Sequence, residues 1–327
     1  MGVSAGAGAA TGERWLLLAP RGRRRAGARM VCIANQKGGV GKTTTSINLA
    51  TALALRGHRA LVVDIDPQAN ATTGLGIDHR SVERSTYDLV SRNVPLEDIA
   101  RPTAIPGLDC APATQDLAGA EVELVKQMAR ERRLGAMLEP ARDRYEVVIL
   151  DCPPSLGLLT VNSLIAAEDL IVPVQCEYYA LEGLGQLLGT AERVRRSLNP
   201  ELRIAGFVLT MYDARTKLSS QVAEEVRAHF GDLVFRTVIP RSVRLSEAPS
   251  FGEPVMTLDP TSRGSISYRL LSGEVEHRFE LGEAAADPEP RPAPTPGPHG
   301  RGYGTVAPEP PGLDQAWPRP HPWTVAP

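Results

Sequence analysis

Aromatic residues are scarce in this chain, at 5% of 327 residues, although hydrophobic residues as a whole reach 42%. Such a composition favours a core of Val, Ile, Leu and Ala over a site built on aromatic cages. Cysteine is rarer still. Cys32, Cys110, Cys152 and Cys176 lie far apart in sequence with no C-x-x-C pair, which argues against a zinc module or a disulfide framework and for reduced, packed thiols. The formal net charge is only −2, so no global positive field draws the protein to nucleic acid, and any such surface must be a local patch. No apolar run approaches the roughly 20 residues that span a bilayer. The apolar stretch Trp15–Pro20 precedes its arginines (Arg21, Arg23, Arg24, Arg25, Arg29), the wrong order for a secretory signal, so a cytoplasmic protein is expected.

Composition divides the chain into three. Residues 1–29, rich in Gly, Ala and Arg, carry no packing pattern and are expected to be a disordered arm; Met30, directly before the first strand, is a second candidate start of translation. From 284 to 327 the pattern dissolves again. Proline takes every second position from Pro288 to Pro298, and such a segment buries too little apolar area to offset its ordering entropy, so a disordered tail is expected. Residues 30–283 form the expected folded domain, of a size usual for a single α/β unit. There, strands expected at Val31–Asn35, Ala60–Asp64, Glu146–Leu150, Leu170–Val174, Ile204–Thr210 and Val234–Ile239 alternate with helices. Those helices include Thr43–Arg56, a stripe of Leu184, Leu187, Leu188, Ala191 and Val194, a helix marked by Val222, Val226 and Phe230, and a last one with Tyr268, Leu271, Val275 and Phe279 on one face. Val147–Leu150 is apolar at consecutive positions, as a strand covered on both sides requires. The expected fold class is α/β, a mostly parallel twisted sheet with helices on both faces.

The first strand runs into Lys37-Gly-Gly-Val-Gly-Lys-Thr-Thr44 and then into a helix. Gly38, Gly39 and Gly41 let backbone N–H groups, with those of Val40 and Thr44, converge on phosphate oxygens; Lys42 adds a point charge and Thr43 a hydroxyl for Mg²⁺. Gln36 stands where the common phosphate-loop pattern has its first glycine, and a second lysine, Lys37, opens the loop. Two carboxylate positions complete the constellation. Asp151 ends a buried strand and precedes Cys152-Pro-Pro154, a stiff turn. Asp64 and Asp66, two residues apart, share a side if the chain stays extended, one to anchor the loop and one to position a water for in-line attack. Thr43, Asp64 and Asp151 are the candidate oxygen ligands of Mg²⁺.

Asn35-Gln-Lys-Gly-Gly-Val-Gly-Lys-Thr-Thr-Thr45, Asp64-Ile-Asp-Pro-Gln68, Asp151-Cys-Pro-Pro-Ser155, Glu177-Tyr-Tyr-Ala-Leu-Glu182 and Ser246-Glu-Ala-Pro-Ser-Phe-Gly252 together resemble the deviant-Walker-A, P-loop ATPases of the ParA/Soj type, over roughly residues 30–273. The resemblance implies an ATP- and Mg²⁺-dependent partitioning ATPase in which Lys37 reaches the nucleotide of a second subunit, so that ATP drives homodimerisation. It implies that Lys42 and Thr43 bind phosphate and Mg²⁺, that Asp66 supports water attack, and that Asp151 is the Walker B carboxylate. Pro240 and Ser242 match positions that border the adenine; the family usually has asparagine where Ser242 stands. The ATP dimer is expected to bind double-stranded DNA without base reading through Arg215 and Arg244, with Arg241 and Lys217 as weaker candidates, and to release it when a ParB-like centromere-binding partner stimulates hydrolysis. The expected location is the nucleoid, with no membrane partner.

Three rival readings share parts of this pattern. A membrane-associated division-site ATPase of the MinD type needs a basic amphipathic C-terminal helix, which Pro288–Pro327 does not supply. An iron–sulfur carrier needs cysteines from two subunits around a shared cluster, and Cys152 is expected to have no suitable second cysteine nearby. A non-catalytic ATP-gated scaffold has no need of intact Lys42, Asp66 and Asp151.

Overall fold

The computed structural model describes residues 27–178, 180, 181 and 183–282. The expected arm up to residue 26 and the expected tail from 284 lie outside these residues. Eight strands form one sheet: β1 (Arg29–Ile33), β2 (Ala60–Asp64), β3 (Arg101–Pro102), β4 (Leu108–Ala111), β5 (Val147–Asp151), β6 (Asp169–Gln175), β7 (Arg203–Tyr212) and β8 (Val234–Pro240). Their order is β3-β4-β2-β5-β1-β6-β7-β8, parallel throughout except for the short antiparallel β3–β4 pair. The longer helices are α1 (Lys42–Leu55), α2 (Leu117–Leu124), α3 (Leu158–Ala166), α4 (Leu184–Ser197), α5 (Lys217–Phe230), α6 (Val243–Phe251) and α7 (Arg263–Phe279). Among the described residues no helix is long and apolar enough to cross a membrane.

Side-chain alternation along the strands divides the interior into two cores. Val147 and Ile149 of β5, with Val31 and Ile33 of β1, pack against α1, α6 and α7, while Val148, Leu150 and Cys32 face α2, α3, α4 and α5. This is why β5 reads as an unbroken apolar run: each face of the sheet has its own helical cover. The face predicted for the last helix is the buried one, with Tyr268, Leu271, Val275 and Phe279 all inside. That helix also protects the open edge. The Glu274 carboxylate accepts from the N–H groups of Arg236 and Thr237 on edge strand β8, at 2.8 and 2.7 Å, satisfying donors that would otherwise invite another strand.

The folded unit begins earlier than residue 30. Ala28 is buried and its N–H donates to Arg142 O at 2.9 Å, and the Arg29 guanidinium lies 3.1 Å from the Asp169 carboxylate. Arg29 therefore belongs to β1 and not to a free arm; a lone arginine beside apolar residues hides its buried ion partner in the sequence.

Candidate nucleotide-binding site

The parallel strands all point their carboxyl ends to one side, where an open α/β sheet forms its crevice. The loop after β1 is tied there at both ends. Asn35 donates from Nδ2 to Pro173 O at 2.7 Å and accepts the Lys37 N–H at 3.0 Å, while Thr210 Oγ1 on β7 donates to Val40 O at 2.8 Å. Gly39 and Gly41 take φ of +72° and +88°, conformations that cost a side-chain-bearing residue. Helix α1 starts at Lys42, one residue sooner than expected, with left-handed Gly41 as its N-cap and no side-chain cap. Its first-turn N–H groups thus stay available to an anion at the positive end of the helix. Lys42 is buried and donates from Nζ to Lys37 O at 3.2 Å, a bond within the loop that a phosphate oxygen can replace. Burial lowers its pKa, opposed by the nearby Asp151 and Asp66 carboxylates.

Asp64 and Asp151 stand side by side at the ends of paired strands β2 and β5. Their environments differ. Asp64 accepts on Oδ2 from the Thr72 N–H (2.8 Å) and hydroxyl (2.7 Å), and on Oδ1 from the Asp66 N–H at 3.1 Å. Both its oxygens are therefore committed to shaping the loop. The strand ends at Asp64, and the Asp66 N–H closes an Asx-type hydrogen bond onto Asp64 Oδ1, so the strand geometry assumed for Asp64 and Asp66 does not extend to Asp66. Asp66 keeps one oxygen on the Gln68 N–H at 3.0 Å. Asp151 accepts on Oδ1 from Ser46 Oγ at 2.7 Å, and its Oδ2 is buried without a partner.

Burial, and then the charge of Asp151, raise the Asp64 pKa to about 7 against the hydrogen bonds of Thr72 and Asp66; burial raises Asp151 to about 6 against the hydroxyls of Ser46 and Thr43. Folded-state values above the unfolded ones mean that the two groups favour folding below about pH 4, and that this contribution is lost as pH rises through 6 and 7. The ligand-free protein is thus expected to melt at lower temperature at about pH 8 than at about pH 5.5, by several degrees if on the order of 2 kcal/mol is lost. Mg²⁺ with nucleotide should flatten the profile, because a cation offsets the buried charge. Scanning calorimetry with and without Mg·ADP checks this; equal melting temperatures in the ligand-free state would contradict it.

These residues fit Mg²⁺. Among the described residues no three His, Cys, Asp or Glu side chains cluster as a cage. That suits an ion which takes one or two protein oxygens and otherwise uses phosphate and water. The unsatisfied Asp151 Oδ2, with the Thr43 hydroxyl near the same carboxylate, is the donor set on offer. Beside the loop a cavity of about 470 Å³ is lined by Gly41, Thr44, Met211, Pro240, Ser242 and Tyr268 among others. Ser242 is the N-cap of α6 but its side chain caps nothing, so its hydroxyl stays free for a ligand. Met211, on the cavity wall, holds a φ of +50°, an uncommon conformation for a residue with a β-carbon.

Lys37 points away from its own loop. Its ammonium, half-exposed, lies 3.9 Å from Glu177, whose other oxygen is 3.4 Å from Arg241. Tyr179 and Glu182 of the neighbouring stretch lie outside the described residues. The expected DNA-contacting residues gather at the carboxyl ends of β7 and β8, which the Arg241 N–H to Tyr212 O bond holds together. Arg215 is held by Asp213 at 2.7 and 2.9 Å, and Arg244 lies 3.3 Å from both Glu247 and Asp259; Lys217 begins α5. The patch is exposed but partly neutralised.

One sequence-based expectation fails. Cys152 does have a cysteine beside it: Cys32 Sγ lies 3.3 Å away, because β1 and β5 are neighbours, although the two are 120 positions apart in the chain. Both are buried, free thiols that pack in the core, and burial raises the Cys32 pKa.

Residues 28–204 match the family model described as an AAA domain. The chain is 55% identical over 247 residues to the sporulation initiation inhibitor protein Soj of Bacillus subtilis, covering 76% of this chain and 98% of that protein. It is 55% identical over 252 residues to the chromosome partitioning protein ParA of Caulobacter vibrioides, covering 76% and 94%. Among solved structures it is similar to a cobyrinic acid a,c-diamide synthase from Mycobacterium smegmatis with bound ADP and magnesium, at 37% identity and a TM-score of 0.69, covering 79% of this chain and 97% of that one.

Proposed function

The chain belongs to the ParA/Soj family of partitioning ATPases, and from that premise we propose that it alternates between a monomer and an ATP-bound dimer that holds DNA. ATP is its substrate and Mg²⁺ its cofactor. The observation that carries the dimer is the division of labour between two lysines. Lys42 already fills the loop's interior, and Lys37 lies at the rim with its side chain 38% exposed. A second ammonium at the rim has a use when another subunit brings its own triphosphate opposite. Each subunit then neutralises charge on its neighbour's nucleotide, which makes association depend on ATP.

Within one site the loop N–H groups and Lys42 bind the phosphates, and Thr43 and Asp151 would hold the metal ion. Bound Mg²⁺ supplies charge neutralisation across the phosphate oxygens. Asp64 anchors the turn, and Asp66, with one oxygen uncommitted among the described residues, orients the attacking water. Turnover is slow until a ParB-like partner completes the site. The dimer sits on the nucleoid in the cytoplasm, and hydrolysis releases it, so that a gradient of bound ATPase moves DNA cargo.

Arg215, Arg244, Arg241 and Lys217 form the DNA surface. Phosphate oxygens compete with Asp213 for the Arg215 fork, since both are planar or tetrahedral oxyanions that a guanidinium binds bidentately. Arg215→Ala is expected to weaken DNA binding several-fold at physiological salt for every sequence tested, and to lower the salt slope by about one for each phosphate no longer neutralised. Fluorescence anisotropy on two unrelated duplexes with ATP, ADP or no nucleotide measures this. Unchanged affinity and slope would remove Arg215 from the surface.

A further inference from the structure

Ser46 joins the two elements that supply the metal ligands. It is fully buried in α1, one turn after Lys42, with its Oγ 2.7 Å from Asp151 Oδ1 and 3.1 Å from Lys42 O. A hydroxyl has one proton to donate. The carboxylate takes it, because a charge-assisted O–H···O bond is the shorter and stronger of the two. Asp151 is then pinned at Oδ1, and its other oxygen, buried and without a partner, is the one left for a cation. Thr43, the hydroxyl on the metal side, precedes Ser46 by three residues on the same helix and so lies on neighbouring turns. One hydrogen bond therefore fixes the Asp151 rotamer and also the separation between a ligand on α1 and a ligand on β5.

We infer that Ser46 is a positioning residue for the Mg²⁺ site, holding Asp151 so that its free oxygen and the Thr43 hydroxyl converge on one ion. This rests on Asp151 being the metal carboxylate. Without the Ser46 hydroxyl, Asp151 has a competing partner in Lys42, whose ammonium attracts it. A carboxylate that swings toward Lys42 withdraws an oxygen from the metal. Loss of such an orienting partner typically costs about 10–100-fold in metal affinity.

The test is a Mg²⁺ titration of the full-length protein at fixed N-methylanthraniloyl-ADP, followed by fluorescence, for wild type, Ser46→Ala, Ser46→Thr and Asp151→Asn. Ser46→Ala is expected to raise the half-saturating Mg²⁺ concentration roughly 10–100-fold while leaving metal-free nucleotide affinity within about twofold, and Ser46→Thr should restore most of the loss. Competition by Mn²⁺, read from the free-ion paramagnetic signal, should show the same order without reference to nucleotide. A Ser46→Ala midpoint within about threefold of wild type would overturn the inference, as would an equal loss with and without metal, or no rescue by threonine. If Asp151→Asn itself leaves the Mg²⁺ midpoint unchanged, the assignment of the metal carboxylate fails, a separate result from failure of Ser46 alone.

Discussion

Asp66→Ala is expected to bind Mg·ATP almost as wild type does and to hydrolyse it roughly 10²–10⁴-fold more slowly, the range a positioned carboxylate contributes to proton or water handling. The reason is the contrast between the two carboxylates of the turn. Asp64 spends both oxygens on Thr72 and the Asp66 backbone, so its loss would deform the loop. Among the described residues the Asp66 carboxylate accepts from the Gln68 N–H alone and carries no phosphate-binding duty, so its removal takes away chemistry and leaves binding. A dimer that cannot hydrolyse should accumulate and remain on DNA. Single-turnover hydrolysis beside equilibrium nucleotide binding separates the two effects. Equal losses in affinity and rate would show that Asp66 shapes the nucleotide pocket instead.

Lys37→Ala should have the opposite signature. Nucleotide affinity of the monomer is expected to change little, because Lys42 and the first turn of α1 form the cradle and Lys37 faces outward. Dimerisation should be abolished. Truncating one member of a buried, charge-assisted pair at an interface costs about 2–5 kcal/mol, and a two-fold dimer holds two such pairs, enough to move a micromolar equilibrium beyond reach. The cis pair with Glu177 opposes this only weakly, since exposed ion pairs of this kind are worth about 0–1 kcal/mol. Light scattering of Lys37→Ala with a non-hydrolysable ATP analogue should report a monomer whose nucleotide binding is intact; a wild-type-like dimer would remove Lys37 from the interface.

The phosphate loop was readable from the chain because strand, glycines, Lys42-Thr43 and helix are contiguous, and local geometry depends on little else. The apolar runs of β2, β5, β6, β7 and β8 were legible for the same reason, to within two residues at each end. Elements without a pattern escaped. Strand β4 has four residues and carries the buried Asp109, whose charge interrupts the apolar run and which accepts from the Tyr145 hydroxyl at 2.7 Å. Helix α6 contains Pro249 and buries only Leu245 and Ala248, too few for a periodic stripe.

Within the site, sequence offered candidates for the chemistry, whereas the residues that hold those candidates in place could not be named from it. Ser46, Thr72 and Thr210 owe their roles to partners 105, 8 and 170 positions away, and nothing in a lone Ser or Thr signals such a bond. The Cys32–Cys152 proximity is invisible for the same reason: strand order is a property of the sheet, not of spacing along the chain.

In the proposed dimer two subunits enclose two triphosphates, and Lys37 of each reaches the nucleotide of the other. Multi-angle light scattering of the wild-type protein with saturating Mg²⁺ and a non-hydrolysable ATP analogue tests it most directly. A mass twice that of the 35.1 kDa chain is expected with the analogue, and a monomer with ADP or without nucleotide. A monomer under all three conditions would contradict it.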